Sequence, residues 1–328
     1  MLKIRRAIPI LIVFLACGRI VQAQYATTKL ASEPTIFAPG VISTGEYEVC
    51  PTFSPDGKTF YFVKSTPDAN FWTILFSRFQ NGKWNAPQVA PFSGQYSDAD
   101  EFITRDGQQM FFISRRPVSG DISPNASGKL DIWVMDKTVS GDWGEPRNLG
   151  RPVNSDANEY YPTVAANGTL YFGSRRKGGK GGADIYRSRL VNGKYQEPEN
   201  LGDAINTEFD EFEPYIAPDE SFMIFMAGGG RLDSLGGYDF YISYNRHGQW
   251  TKAKNLGEPI NSSADEFSAK ITPDGKYFFW ASARSLIDKP KGKKWTIDEL
   301  SNAYHDPGNG LGDIYYIDVS ALRINLSD

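Results

Sequence analysis

The chain has 328 residues, a formal net charge of −4, 14% aromatic residues, 32 Gly and 20 Pro. Aromatic residues favour strands while Gly and Pro favour turns, so this composition points to many short strands. The acidic balance argues against a phosphate-binding surface, and so against nucleic acid as a partner. The lack of any long apolar pattern of helical period argues against an α/β enzyme of the Rossmann or TIM type.

The chain opens on Lys3, Arg5 and Arg6, an almost wholly apolar run from Ala7 to Ala16, and the small-residue site Val21-Gln22-Ala23. This is the pattern of a secretory signal over residues 1–23, cleaved before Gln24. The apolar run is too short to span a bilayer. No second run follows, so the mature chain, 24–328, is expected to be a single exported domain without a transmembrane segment, periplasmic or extracellular. Cys17, in Leu-Ala-Cys-Gly, offers lipid anchoring as an alternative, although Phe14 and Leu15 fit that pattern poorly. Four of the 35 basic residues and none of the 39 acids lie in the signal, so the mature chain would carry a net charge near −8. It would keep only Cys50, hence no internal disulfide, and only His247 and His305, hence no Cys/His zinc cluster.

Beyond residue 30 one unit repeats. It opens on a strand that ends in a tight turn: Asp56-Gly57, Asp106-Gly107, Asn167-Gly168, Asp219-Glu220 and Asp274-Gly275, spaced by 50, 61, 52 and 55 residues. Asp-Gly and Asn-Gly suit hairpins because these turns need φ > 0. An aromatic second strand follows: Phe60-Tyr61-Phe62, Met110-Phe111-Phe112, Leu170-Tyr171-Phe172, Met223-Ile224-Phe225 and Phe278-Phe279-Trp280. The third strand begins with an aspartate at Asp131, Asp184, Asp239 and Asp313, while Thr73-Ile74-Leu75 stands in its place in the first unit. These aspartates are expected to cap the strand and hold the loop before it. A fourth strand is expected near Trp84, Trp143, Tyr195 and Trp250.

Four strands per unit of roughly 50 residues is the signature of a propeller blade. The fold expected is all-β: a five-bladed β-propeller with blades near 46–92, 96–150, 157–202, 209–257 and 264–319. The fifth unit stops after its third strand, and Glu33-Pro34-Thr35-Ile36-Phe37 resembles Glu145-Pro146-Arg147-Asn148-Leu149. Residues 33–38 should therefore supply the last blade's outer strand and close the ring, which hides sheet edges.

The Ser-Pro-Asp-Gly turn at 54–57, the aromatic second strand and the Asp-Ile-Tyr third strand resemble the WD40-like propeller repeats of TolB-type periplasmic proteins. The segment from Asn255 to Asn261 is similar to the version found in exported Bacteroidetes proteins. That resemblance covers nearly the whole mature chain. It implies the fold and an envelope setting, and partner binding only in part, because no peptidoglycan-binding domain accompanies it here.

Connectivity sorts the loops into two faces. The short turns (Asp56-Gly57, Asn192-Gly193, His247-Gly248) share one, and the long loops (115–130, 175–183, 227–238, 283–312) share the other with the inter-blade links. Function usually sits on variable loops held by a rigid scaffold, so the long-loop face is the candidate. Eight residues before each turn Asp or Asn stand Glu48, Asp98, Glu159, Glu211 and Glu266. Were they to ring the channel mouth, each pair about 8 Å apart would repel by roughly 2 kcal/mol at an effective dielectric of 20, so something must neutralise them. Arg115, Arg116, Arg175, Arg176 and Arg284 follow the second strands and should reach the same face. Pairing of each acid with an Arg is the structural expectation. Binding of a cationic ligand or of calcium, the one cofactor considered, is the sharper alternative. In the last loop Thr296-Ile297-Asp298-Glu299 reads as a capping box opening a short helix, and His305 follows within a possible lid.

No Gly-x-Ser-x-Gly elbow is present and histidines are scarce, so the first expectation is a non-catalytic envelope propeller that recognises a protein or glycan through the long-loop face. The alternative is a carbohydrate-active hydrolase or lyase using carboxylates at the channel mouth. A buried acid on the axis with a raised pKa and no Arg partner would favour that alternative.

Overall fold

The structure is a computed structural model, described for residues 31–118, 128–228, 230–287 and 294–324. The expected signal and Cys17 lie outside these residues. Five antiparallel sheets form the five blades, each with its innermost strand first in sequence for its unit: Tyr47–Phe53, Asp98–Ile103, Glu159–Val164, Glu211–Ile216 and Glu266–Ile271. The second strands Gln109–Ser114, Leu170–Ser174, Phe222–Gly228 and Tyr277–Ser282 are almost wholly buried, because both their faces lie between neighbouring blades, while in Thr59–Ser65 of the first blade only Phe60, Phe62 and Val63 are buried.

The N-terminal segment closes the ring as its sequence suggests. Thr35 and Ile36 pair antiparallel with Tyr316 and Tyr315 of the last blade. Phe37 then wedges between the last and first blades, 4.9 Å from the ring of Phe60 and 5.0 Å from that of Phe279. A fully buried Phe contributes about 1.5–3 kcal/mol, so this plug is a substantial part of the latch.

The outer strands differ from expectation in one respect. Trp84, Tyr195 and Trp250 lie in small hairpins that extend the third strand, and Trp143 makes only a bridge to Lys137. The ladder resumes a few residues later at Gln88–Val89, Arg147–Asn148, Glu199–Asn200 and Lys254–Asn255. Pro87, Pro146 and Pro198 stand just before the resumed strand in three of these blades, and proline cannot donate to a ladder.

The capping box forms as read: the Thr296 side chain accepts from Glu299 N, and the helix runs from Ile297 to His305. No helix among the described residues is long and apolar enough to cross a membrane.

Candidate functional site at the channel axis

The five acids of the repeated column are all buried and all partnered. Each accepts from a hydroxyl in the link before its strand: Thr44 for Glu48, Ser93 for Asp98, Ser155 for Glu159, Thr207 for Glu211 and Ser262 for Glu266. Each also meets a cation from the end of the second strand or the loop after it. Arg116 lies 2.9 Å from Asp98, Arg176 3.3 Å from Glu159, Arg231 2.5 Å from Glu211 and Arg284 3.3 Å from Glu266. In the first blade Lys64 takes the cation's place, 3.2 Å from Glu48.

These arginines are locked from several sides. Arg116 also donates to Phe92 O, and its guanidinium lies 5.1 Å from the Phe112 ring and 5.4 Å from Trp133. Arg176 sits the same way on Phe172 and Tyr186, and Arg284 on Trp280 and Tyr315. Burial still outweighs the pairing, so Asp98, Glu159, Glu211 and Glu266 titrate above ordinary carboxylates. A bonded, enclosed carboxylate of this kind joins inner strand, link and second strand into one unit.

The neighbouring arginines face elsewhere, as expected for successive residues in extended chain. Arg115 donates to Gly128 O, and the half-exposed Arg175 pairs with Asp210 at 3.6 Å and covers the Phe212 ring. His305 is exposed, with Nδ1 2.7 Å from Ser301 O, and its backbone packs so tightly on Gly45 that a Cβ there would sit 2.0 Å from His305 O. Its backbone therefore holds the short helix against the link that carries Thr44, the hydroxyl partner of Glu48, while its side chain bonds within the helix.

The third-strand aspartates hold their loops. Asp184 accepts from Lys180 N, Gly181 N and Asn200, and Asp239 accepts from Leu235 N, Gly236 N and Asn255. Gly181 and Gly236 are required there, because a Cβ would lie 1.7 Å from Phe209 O and 1.9 Å from Ala264 O on the next blade's link.

Two residues past each column acid the inner strand changes character. Cys50, Asp100, Tyr161, Glu213 and Ser268 all take positive φ, between 45° and 62°, and the pairing with the second strand shifts register there. Such bulges re-aim a side chain. Here they gather the five around the axis. The Cys50 thiol lies 3.3 Å from Asp100 Oδ1 and 3.5 Å from Ser268 Oγ. Tyr161 N donates to Asp100 Oδ2 at 2.9 Å, and Ser268 N donates to Glu213 Oε2. Glu101 and Lys270 come from the same strands, with Lys270 Nζ 4.3 Å from the Tyr161 ring centre and 5.1 Å from that of Phe102.

This cluster has no arginine partner in the described hydrogen bonds and ion pairs. Burial, and after it the charge of Asp100, pushes Glu213 up to about 8, although one edge of the residue reaches solvent. Burial raises Asp100 only to about 6, because Tyr161 N–H, the Cys50 thiol and Lys270 favour its charged form. Glu101 rises well above the carboxylate range and Lys270 falls to about 8, both chiefly through burial. The same desolvation pushes the Cys50 thiol up and makes it a poor nucleophile. Two axial carboxyls with separated titrations can hold one proton and one charge near neutral pH, which is the requirement for an acid and a base.

Four rings stand on the same inner strands as this cluster, and Tyr238 on a third strand beside them. Tyr160, Phe212 and Tyr238 follow one another at 5.7 and 6.4 Å, Tyr47 and Phe267 meet at 6.4 Å, and all five are partly exposed. Among the described residues no group of three or more His, Cys, Asp or Glu side chains is placed to hold a metal ion.

No protein-family model and no curated protein matches the chain. Solved structures do. An alpha-L-arabinofuranosidase from Lactobacillus brevis matches at 12% identity and a TM-score of 0.48, over 85% of this chain and 92% of that one. The alpha-L-arabinofuranosidase from Podospora anserina solved with cellotriose matches at 12% identity and a TM-score of 0.45, over 88% and 94%. A prolyl endopeptidase matches at 10% identity and a TM-score of 0.41, over 83% of this chain but 32% of its own. At these values the likeness is one of fold alone. The five-bladed propeller rests on the chain's own five sheets and the closure of the last by residues 35–36.

Proposed function

We propose that this chain is a carbohydrate-active hydrolase working at its channel mouth, with Glu213 as proton donor and Asp100 as base. The observation that supports it is asymmetry at a symmetric position. The same bulge in five blades presents Cys50, Asp100, Tyr161, Glu213 and Ser268. A feature kept only for architecture would repeat, as the acid column does. Catalysis needs unlike partners.

In this reading Glu213 gives its proton to the glycosidic oxygen as the C–O bond breaks, and Asp100 takes a proton from the attacking water. The partly exposed rings of Tyr47, Tyr160, Phe212, Tyr238 and Phe267 suit the apolar faces of sugars. The amino-terminal pattern adds an exported setting, and the repeat motifs add a likeness to TolB-type envelope propellers.

The test is hydrolysis of a panel of plant and cell-wall glycans by wild type and Glu213→Gln. Wild type should release reducing sugar, and the variant should lose about 10²–10⁴-fold in kcat while remaining folded. Glycan capture without hydrolysis would instead favour a binding propeller, which the same aromatic collar would equally serve.

A further inference from the structure

On the outer wall, equivalent positions of neighbouring blades build crevices that differ in one respect. Between the third and fourth blades, Tyr171 of a second strand meets Trp250 of the next blade's hairpin, with ring centres 6.4 Å apart. Two carboxylates close this crevice. Tyr171 donates to Glu220 at 2.6 Å, and Arg187 and Arg189 bond Glu199 at 2.9 and 2.8 Å. Tyr171 is fully buried there.

Between the first and second blades the corresponding pair is Tyr61 and Trp143, joined by Trp143 Nε1 donating to the Tyr61 hydroxyl at 3.0 Å. Neither carboxylate has a counterpart. Gln88 stands opposite Phe76 as Glu199 stands opposite Arg187, and the turn Asp106-Gly107 has Gly107 where Asp219-Glu220 has Glu220. Tyr61 is only half-buried, and the crevice is open as a cavity of about 520 Å³. Small-ligand sites occupy roughly 300–1,000 Å³. None of the residues lining the cavity is on an inner strand, so it is separate from Asp100 and Glu213.

The donors of this crevice lack acceptors. Arg78 stands two residues after Phe76, as Arg189 does after Arg187. It covers the Phe76 ring at 5.2 Å, Lys137 covers the Trp143 ring at 4.9 Å, and neither makes an ion pair among the described residues. Tyr61 accepts from Trp143, which leaves its hydroxyl proton to donate, as Tyr171 donates to Glu220. The chain's own Glu199 and Glu220 show what such donors take: a carboxylate. The rings of Phe76 and Tyr61, 6.0 Å apart, add an apolar surface, and Asp142 and Glu145 beside Trp143 can accept from hydroxyls. A carboxylate, an apolar face and hydroxyls on one small unit describe a uronic acid. The N–H groups of Lys137, Gly141 and Gly144 bond within the chain, so the crevice offers no strand edge to a peptide.

We infer that the crevice between the first and second blades binds a uronic acid residue of an acidic glycan, whose carboxylate takes the place that Glu199 holds between the third and fourth. The site holds whether or not the axis is catalytic.

The test is calorimetric titration of the full chain with trigalacturonate, its carboxyl-reduced neutral counterpart, free galacturonate and a short polyglutamate peptide. Trigalacturonate should bind, and carboxyl reduction should weaken it about tenfold or more. Free galacturonate binding as tightly would make the ligand a single sugar acid and overturn the glycan. Arg78→Gln and Tyr61→Phe should each weaken trigalacturonate about tenfold. Gln88→Glu returns the missing carboxylate at an exposed position, and should weaken it about threefold or more with no fall in the unfolding midpoint. Glu213→Gln should bind as wild type does. If hydrolysis fails while this pattern holds, the wall site stands and the hydrolase reading falls. No binding of trigalacturonate, equal binding of the reduced form, tighter binding of the peptide, indifference to Gln88→Glu, or loss of binding in Glu213→Gln would each overturn the inference.

Discussion

Two columns of side chains rise from the same five inner strands only two residues apart, and they follow opposite rules. Glu48, Asp98, Glu159, Glu211 and Glu266 are alike, enclosed and bonded to a hydroxyl and a cation. Cys50, Asp100, Tyr161, Glu213 and Ser268 are unlike, crowded together and short of cationic partners. Repetition marks what each blade needs in order to fold. Divergence at a repeated position marks what the ring as a whole does with its axis. Acidity alone distinguishes nothing, because both columns contain buried carboxyls.

The contrast can be broken from either side. Arg116→Leu would leave Asp98 buried without its cation. Denaturant unfolding should show a loss of about 3–5 kcal/mol, the usual cost of removing one partner of a buried pair. Glu213→Gln should behave in the opposite way. Its folded carboxyl binds a proton more tightly than an unfolded one, so wild type loses stability as pH rises from the ordinary carboxylate range through about 8. The variant should lack that decline and match or exceed wild type above pH 8, even as it loses activity. Equal loss of stability in both variants would erase the distinction between the columns.

The titrations of the axial pair give a third test. The rate should rise as Asp100 ionises near pH 6 and fall as Glu213 ionises near pH 8, giving a bell whose alkaline limb Glu213→Gln abolishes along with most of the rate.

The smallest effect concerns the closing blade. Asn148, Asn200 and Asn255 pair opposite Trp133, Tyr186 and Tyr241 and donate to Asp131, Asp184 and Asp239. In the last blade the N-terminal strand puts Ile36 opposite Tyr315, so Asp313 keeps a bond from Gly308 N but has Oδ1 buried and unpaired, and burial raises it to about 7. Ile36→Asn should restore the missing donor and lower that titration. A hydrogen bond to a charged group brings about 1.5–3 kcal/mol, offset by the lost apolar contact of Ile36. NMR titration of the Asp313 carboxyl with and without the substitution checks it.

How much of this was legible beforehand can be judged residue by residue. The turn marks, the aromatic second strands and the likeness of residues 33–37 to 145–149 determined blade number and ring closure, because period-two patterning and turn chemistry are local properties. The acid column was equally legible by counting, and so was the need to neutralise it, since a ring of bare carboxylates would repel, but Lys64 and Arg231, the cations of the first and fourth blades, were not. Which arginine of Arg115-Arg116 or Arg175-Arg176 turns inward was not, because the chain's direction after a strand depends on the link it packs against. The axial column was present at a fixed offset but carried no shared residue type. Only the bulge, a backbone rotation set by packing five strands around one axis, brings Asp100 and Glu213 into one cluster through Cys50, Tyr161 and Ser268. Sequence therefore determined the scaffold, whose forces act between near neighbours. The site, made from strands about 50 to 220 residues apart, was decided by the closed ring that brings them together.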